Sequence, residues 1–432
     1  MANFLKYLSF PVLALLTSCA GNNLISDRYQ KIIDDSFNER KSFAINRDKE
    51  LFTVFNNQLS PDQSRALKFL YAFMPLSDLA DYNGDFFLQN VDIALQAKSE
   101  SAWGRNIPED IFLHYVLPCR INNENLDSFR IAYYNEIKER VKGMYIGSAA
   151  LEINHWCQEK VTYQPSDIRT SAPVSTILSA RGRCGEESTL AVAALRTAGI
   201  PSRQVYTPRW AHTDDNHAWV EVWINGEWFY MGACEPEPVL DRGWFTEYAR
   251  RAMLVHTKSF GASTGGENVI RIHRNFTEVN NLSKYAPTKK IYVKVLNPAG
   301  EPDKKSTVEY QLYNYAEFYP LAALPVDEEG ISSFETGLGD LIIWAYDGDD
   351  FAFKKISVSE TDTLILKLNQ QTNAEYNINL DLNIPPLQKP FSAPSADLVK
   401  ANIERINKGK LIRQEYIDSW IKPREVVNFA LK

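Results

Sequence analysis

The 432-residue sequence lacks any surplus of positive charge: 47 Lys and Arg face 54 Asp and Glu, for a net charge of −7 and a pI of about 5.6. That balance excludes a phosphate-binding surface as the expected role, so no nucleic-acid partner is expected. Beyond the first residues no apolar run approaches the roughly 20 residues that a bilayer-spanning helix requires. Histidines and cysteines are few, none fall at zinc-ligand spacing, and no calcium-loop pattern occurs, so no metal or other cofactor is expected. Internal repeats and low-complexity tracts are also missing. What is present is ordinary for a folded chain, with 44% hydrophobic and 23% charged residues. At roughly 150 residues per domain the length predicts about three domains. The 9 Trp, 21 Tyr and 22 Phe favour β-rich cores.

The first residues stand apart. Lys6 precedes a short apolar stretch, Phe10 to Leu16, which ends in Leu16-Thr17-Ser18-Cys19. This segment resembles the lipobox of bacterial lipoproteins. The resemblance implies a signal peptide over 1–19, lipidation of Cys19, export, and a lipid anchor as the only membrane contact in the bacterial cell envelope. In an exported protein the remaining Cys119, Cys157, Cys184 and Cys234 can form disulfides. Cys119 with Cys157 is the pairing expected if Cys184 stays free, although spacing leaves connectivity open and buried thiols fit as well.

Pattern changes divide the rest. Residues 29–160 read as helical, with Ser60-Pro61-Asp62-Gln63 as a start signal ahead of Leu67, Leu70 and Phe73. Residues 161–285 read as mixed α/β. Residues 289–370 read as a small β-sandwich: Ile291, Val293 and Val295 alternate before the turn Asn297-Pro298-Ala299-Gly300, and further strands are expected over Leu341 to Tyr346 and Thr363 to Leu368. The tail, 371–432, contains a helix around Ala396 to Lys408.

The chemistry concentrates in the middle. Arg181-Gly182-Arg183-Cys184-Gly185-Glu186-Glu187 precedes a helical stripe of Leu190, Ala191, Ala194, Leu195 and Ala198, stopped by Gly199 and Pro201. Cys184 therefore opens a helix, where free N–H groups and the dipole are expected to favour a thiolate and a developing oxyanion. A strand over Ser202 to Tyr206, a polar loop with Asp214, Asp215 and Asn216, and an alternating strand from His217 to Ile224 follow. Asn225-Gly226 predicts a two-residue hairpin, so Ile224 should face Glu227 and Trp219 should face Gly232. Position 232 is then the diagonal neighbour of His217, about 7–8 Å away and within reach of a side chain. A cysteine, a histidine and a third group beside the histidine make a nucleophile, base and orienter.

The stretch from about Thr176 to Trp244 resembles the transglutaminase-like superfamily of papain-type enzymes. Arg183-Cys184-Gly185-Glu186 and Ala233-Cys234-Glu235 are similar to segments of its peptide:N-glycanase branch. The resemblance implies a papain-like transglutaminase core; with the helical N-terminal region and a C-terminal Ig-like β-sandwich read from the pattern changes, an α+β, multidomain protein is expected. It also implies Cys184 as nucleophile and His217 as base. The third residue of the family is an aspartate at the position held here by Gly232. Glu235, Asp214 or Asp215, a water, or a backbone carbonyl are the replacements; Glu235 requires a bend after Gly232. Trp156 or Gln158 are candidates for an oxyanion hole, Trp219, Trp223 and Trp228 for core or pocket wall, His212 for an exposed loop, and Cys234 for a structural role.

The expected activity is acyl transfer through a Cys184 thioester, with hydrolysis of a peptide, amide or glycopeptide bond. The competing expectation is a weakened papain-like module that binds peptides or glycans, and a third is an adhesion or assembly role carried by the sandwich.

Overall fold

The computed structural model describes residues 27–165, 169–262, 268–371, 379–388 and 392–420. The lipobox and Cys19 lie outside the described residues. Among those described, no helix is long and apolar enough to cross a membrane.

Helices dominate from Asp27 to Lys160. The Pro61–Phe73 helix starts as its sequence demands. The Ser60 hydroxyl accepts from Gln63 N–H at 3.2 Å, and the Gln63 side chain accepts from Ser60 N–H at 2.8 Å. This reciprocal cap satisfies two otherwise orphaned donors. Leu67, Leu70 and Phe73 are buried behind it.

The Cys184–Thr197 helix is the hub. The apolar stripe predicted one buried face, but every residue from Gly185 to Thr197 is buried. One apolar cluster explains the difference: it runs from Tyr29 through Leu67, Val91, Ile153 and Leu190 to Val220 and Phe260. The helix is wrapped by the Gly84–Glu100, Phe129–Arg140, Ile146–Lys160 and Pro173–Ser179 helices on one side and by the sheet on the other. A helix enclosed all round carries small residues where neighbours approach, here Ala191, Ala193 and Ala194. Gly199 ends it at φ +73°, where a Cβ would lie 3.2 Å from the Ala97 carbonyl. Both a left-handed turn and a close approach therefore call for glycine there.

The sheet has the order Glu227–Met231, His217–Ile224, Ser202–Thr207, His256–Phe260, Phe276–Asn280, Val269–Ile272. The hairpin register is the expected one, from Ile224 facing Glu227 to Val220 facing Met231. Asn225 at φ +52° and Gly226 at φ +108° form its turn. The ladder stops one residue before Gly232.

Two C-terminal sheets share a second core of Ile291, Val293, Val295, Val308, Tyr310, Phe334, Leu341, Ile343, Leu364 and Leu366. One sheet contains Thr288–Leu296 between Ile331–Gly337 and Thr363–Lys367, the latter pairing in parallel. These sheets dock on the half that carries Cys184 and His217: Thr336 Oγ1 donates to the Met253 carbonyl at 2.6 Å, and Asn314 Nδ2 to the Trp210 carbonyl at 2.9 Å. The final helix, Ala396–Asp418, is longer than its sequence pattern suggested and lies along Ile146–Lys160. Gly409 permits the contact, because a Cβ there would strike the Gln158 side chain.

The expected Cys119–Cys157 disulfide is not formed; Cys119, Cys157, Cys184 and Cys234 are all free thiols. Cys119 sits beside Arg120, Arg130 and Asp78, and burial raises its pKa to about 11. Cys157 instead meets Cys234, in line with the structural role expected for the latter.

Candidate active site

Cys184 is the first residue of its helix. The chain arrives through a parallel pair between Thr162–Tyr163 and Arg181–Gly182. Glu186 then locks the turn: one carboxylate oxygen accepts from Arg183 N–H at 3.0 Å, the other from Ser171 N–H at 2.9 Å. Gln204, a residue the sequence reading passed over, completes the mooring. Its amide donates to the Gly185 carbonyl at 3.1 Å and to Ser188 Oγ at 2.7 Å. Period-two alternation along Ser202–Thr207 was the signal that would have placed it toward the helix.

The Cys184 sulfur lies against the backbone N–H of Ala218, the residue after His217. That N–H, the Gly185 N–H and Arg183 favour a thiolate, whereas burial and Glu187 oppose it. Burial wins, and the pKa is raised rather than lowered. The expectation of a ready-made thiolate is therefore corrected: the helix terminus only offsets part of a desolvation effect. Glu187 is 2% exposed, and its Oε1 has no hydrogen-bond partner among the described residues. Desolvation, with Glu235 nearby, pushes its pKa up to about 9, so it is a neutral acid at pH 7.

His217 opens the neighbouring strand, opposite Thr207. Its ring is packed among Trp219 (5.8 Å between centroids), Trp244 (4.7 Å) and Phe245 (4.8 Å). Burial drives its pKa down to about 3, so the imidazole is neutral. Its Nε2 is buried with no hydrogen-bond partner among the described residues. No hydrogen bond joins Cys184 to His217 there either; the two meet through the Ala218 backbone as neutral thiol and neutral imidazole.

Glu235 fills the space beside Gly232, the position at which the resemblance implies an aspartate. A Cβ built on Gly232 would lie 3.1 Å from the Glu235 Cβ and 3.3 Å from its Oε2. The required bend is present, since Cys234 adopts φ +57°. Trp244 Nε1 donates to Glu235 Oε2 at 2.9 Å, and the same indole covers His217, so the carboxyl reaches the imidazole's wall rather than its nitrogen. Burial raises the Glu235 pKa. The other acids are committed elsewhere: Asp214 accepts from Tyr315 N–H at 2.8 Å and Asp215 from Asn216 N–H at 2.7 Å.

Trp156 donates to Glu136 at 2.7 Å and Gln158 to the Ile406 carbonyl at 3.3 Å, so neither side-chain donor is aimed at Cys184. His212, expected in an exposed loop, is half-buried against Trp210 and Tyr248. Trp219 is core: its indole donates to Tyr285 Oη at 2.9 Å, which donates to Glu221 at 2.6 Å, itself paired with Arg203 at 2.6 Å. Among the described residues no three His, Cys, Asp or Glu side chains cluster as a metal site would require.

Residues 131–233 match the transglutaminase-like superfamily. Among solved structures, the chain is similar to a candidate cysteine protease from Cytophaga hutchinsonii (17% identity, TM-score 0.23), covering 48% of this chain and 66% of that one. It is also similar to a candidate protease from Parabacteroides distasonis (12%, 0.25; 51% and 36%) and to red sea bream transglutaminase (9%, 0.22; 62% and 59%). The chain thus spans less than two thirds of the length of each of these proteins. A comparison with curated proteins found no match. The segment matched to that superfamily, residues 131–233, takes in both Cys184 and His217.

Proposed function

We propose that the protein is an exported, lipid-anchored thiol enzyme that cleaves a peptide, amide or glycopeptide bond through a Cys184 thioester. The observation that carries this reading is the placement of Cys184 at a helix start, its sulfur on the backbone beside His217, within the superfamily segment. In the resting state both groups are neutral, so the proton must move as substrate arrives. His217 takes the thiol proton while the sulfur attacks the substrate carbonyl carbon. The N–H groups at the first two helix positions, Cys184 and Gly185, lack intrahelical acceptors and suit the developing oxyanion. The C–N bond then breaks, and the leaving amine takes the proton from His217. Water, deprotonated by His217, attacks the thioester and releases the acid with return of the thiol. Glu235 acts as a positioning residue: it fixes Trp244, which packs on the imidazole.

The test is labelling by iodoacetamide. Cys184 alkylation at pH 7 that slows in His217→Asn supports the reading; a rate unchanged in His217→Asn overturns it. One observation favours the second reading, a weakened module that binds peptides or glycans: among the described residues His217 Nε2 has no hydrogen-bond partner, and position 232 has no side chain. The anchor rests on Leu16-Thr17-Ser18-Cys19 alone, and its test is fatty-acid incorporation that Cys19→Ala abolishes.

A further inference from the structure

Far along the same helix, a cavity of about 320 Å³ opens between the helical region and the strands His256–Phe260 and Phe276–Asn280. Such a volume is at the lower end of the range for small-molecule sites, roughly 300–1,000 Å³. Its apolar wall is Phe73, Ile121, Phe260 and Phe276. Its charged lining is Arg120, Arg196 and Lys258, with no carboxylate among the described residues that line it.

Arg120 is neutralised by a salt bridge to Asp78. Neither of the other two makes a salt bridge among the described residues, although Glu278 attracts Lys258 through space. Arg196 is 3% exposed and donates only to neutral carbonyls: Nε to Ser202 at 3.1 Å, and Nη1 to Pro118 at 3.0 Å and Arg120 at 3.1 Å. Among the described residues its Nη2 has no acceptor. Glu124, the nearby carboxylate, accepts from Ile121 and Asn122 N–H, both at 2.7 Å. Lys258 faces Glu278 across the ladder, but that carboxylate turns to His256 at 2.6 Å and His273 at 3.7 Å. The Lys258 ammonium lies instead over the rings of Phe276 (5.3 Å) and Tyr206 (5.9 Å).

A buried guanidinium held only by carbonyls is an unfavourable arrangement unless an anion reaches it. A second cation resting on an aromatic ring beside an apolar wall makes the same demand. We propose that this cavity is a binding site for a small amphiphilic carboxylate: an aromatic or short aliphatic body against Phe73, Phe260 and Phe276, with its charge answered by Arg196 and Lys258. The Cys184 chemistry plays no part in it, so either proposal can fail alone.

Isothermal titration of the full chain with 3-phenylpropionate and with hexanoate tests it, with 3-phenylpropanamide as the uncharged control. At least one carboxylate should bind one-to-one, with the amide at least about tenfold weaker. Lys258→Gln should weaken carboxylate binding about tenfold while leaving the thermal midpoint unchanged, and Asn123→Trp at the cavity lining should block it. Absence of saturable binding by both acids overturns the proposal, and so does equal affinity for acid and amide or binding indifferent to both substitutions.

Discussion

Consider Gly232→Asp, which introduces the acid that the family resemblance implies for this position. The new Cβ would lie 3.1 Å from the Glu235 Cβ and carbonyl oxygen and 3.3 Å from Oε2. Glu235 must move, and overpacking of this kind costs about 1–3 kcal/mol. Two carboxyls in one buried space also repel when both ionise. The single variant should therefore lose about 1–3 kcal/mol in urea unfolding and gain little reactivity. In Gly232→Asp/Glu235→Ala the side chain that filled the space is gone, and only a few tenths of an ångström of adjustment remain. The aspartate then reaches the orphaned Nε2 of His217. A charge-assisted hydrogen bond contributes about 1.5–3 kcal/mol, equivalent to raising the imidazole pKa by about one to two. The imidazole still titrates below pH 7, so the resting thiolate population hardly changes; what grows is the strength of His217 as a general base. Acylation of Cys184 by a p-nitrophenyl ester at pH 7 should accelerate about three- to tenfold. A double variant no faster than wild type, or a single variant as stable as wild type, refutes the assignment of Glu235 to this space.

Other consequences follow from the buried groups. Glu187 is protonated in the fold at about pKa 9 and ionises near 4.5 when unfolded, so its stabilising contribution is complete below pH 4.5 and is lost as pH rises toward 9. Glu187→Gln keeps the neutral shape and removes that loss; urea unfolding should show it about 3 kcal/mol more stable than wild type at pH 7 and equal to it near pH 4. Alkylation after unfolding without reductant, read by mass spectrometry, should modify all of Cys119, Cys157, Cys184 and Cys234; a peptide linking Cys119 to Cys157 would contradict the structure. Gly409→Leu should push the Gln158 side chain off the Ile406 carbonyl and loosen the terminal helix, so that limited proteolysis within residues 396–418 is faster than in wild type.

Local signals were legible where they depend on neighbouring residues. Asn225-Gly226 set the hairpin register to the residue, Ser60 and Gln63 capped the helix they announced, and Gly182-Arg183-Cys184 did open a helix. What escaped the sequence depends on distant packing. The Cys184 helix showed one apolar stripe yet is enclosed on all sides, since its polar members Glu186, Ser188 and Arg196 each find partners that pattern analysis does not see. The thiol's raised pKa arises from surrounding chain far away in sequence, which outweighs the helix terminus. Glu235 was expected to need a bend; the left-handed Cys234 that supplies it is a backbone choice no side-chain pattern announces. Cys157 meets Cys234 rather than Cys119 because the Ile146–Lys160 helix packs against the end of the hairpin.

The most direct test mixes the full chain with a peptide p-nitrophenyl ester, quenches it in acid and weighs the protein. The account predicts an acyl adduct mapped to Cys184, absent in Cys184→Ala and formed at least about 100-fold more slowly in His217→Asn. No adduct, or one formed equally fast without His217, would contradict it.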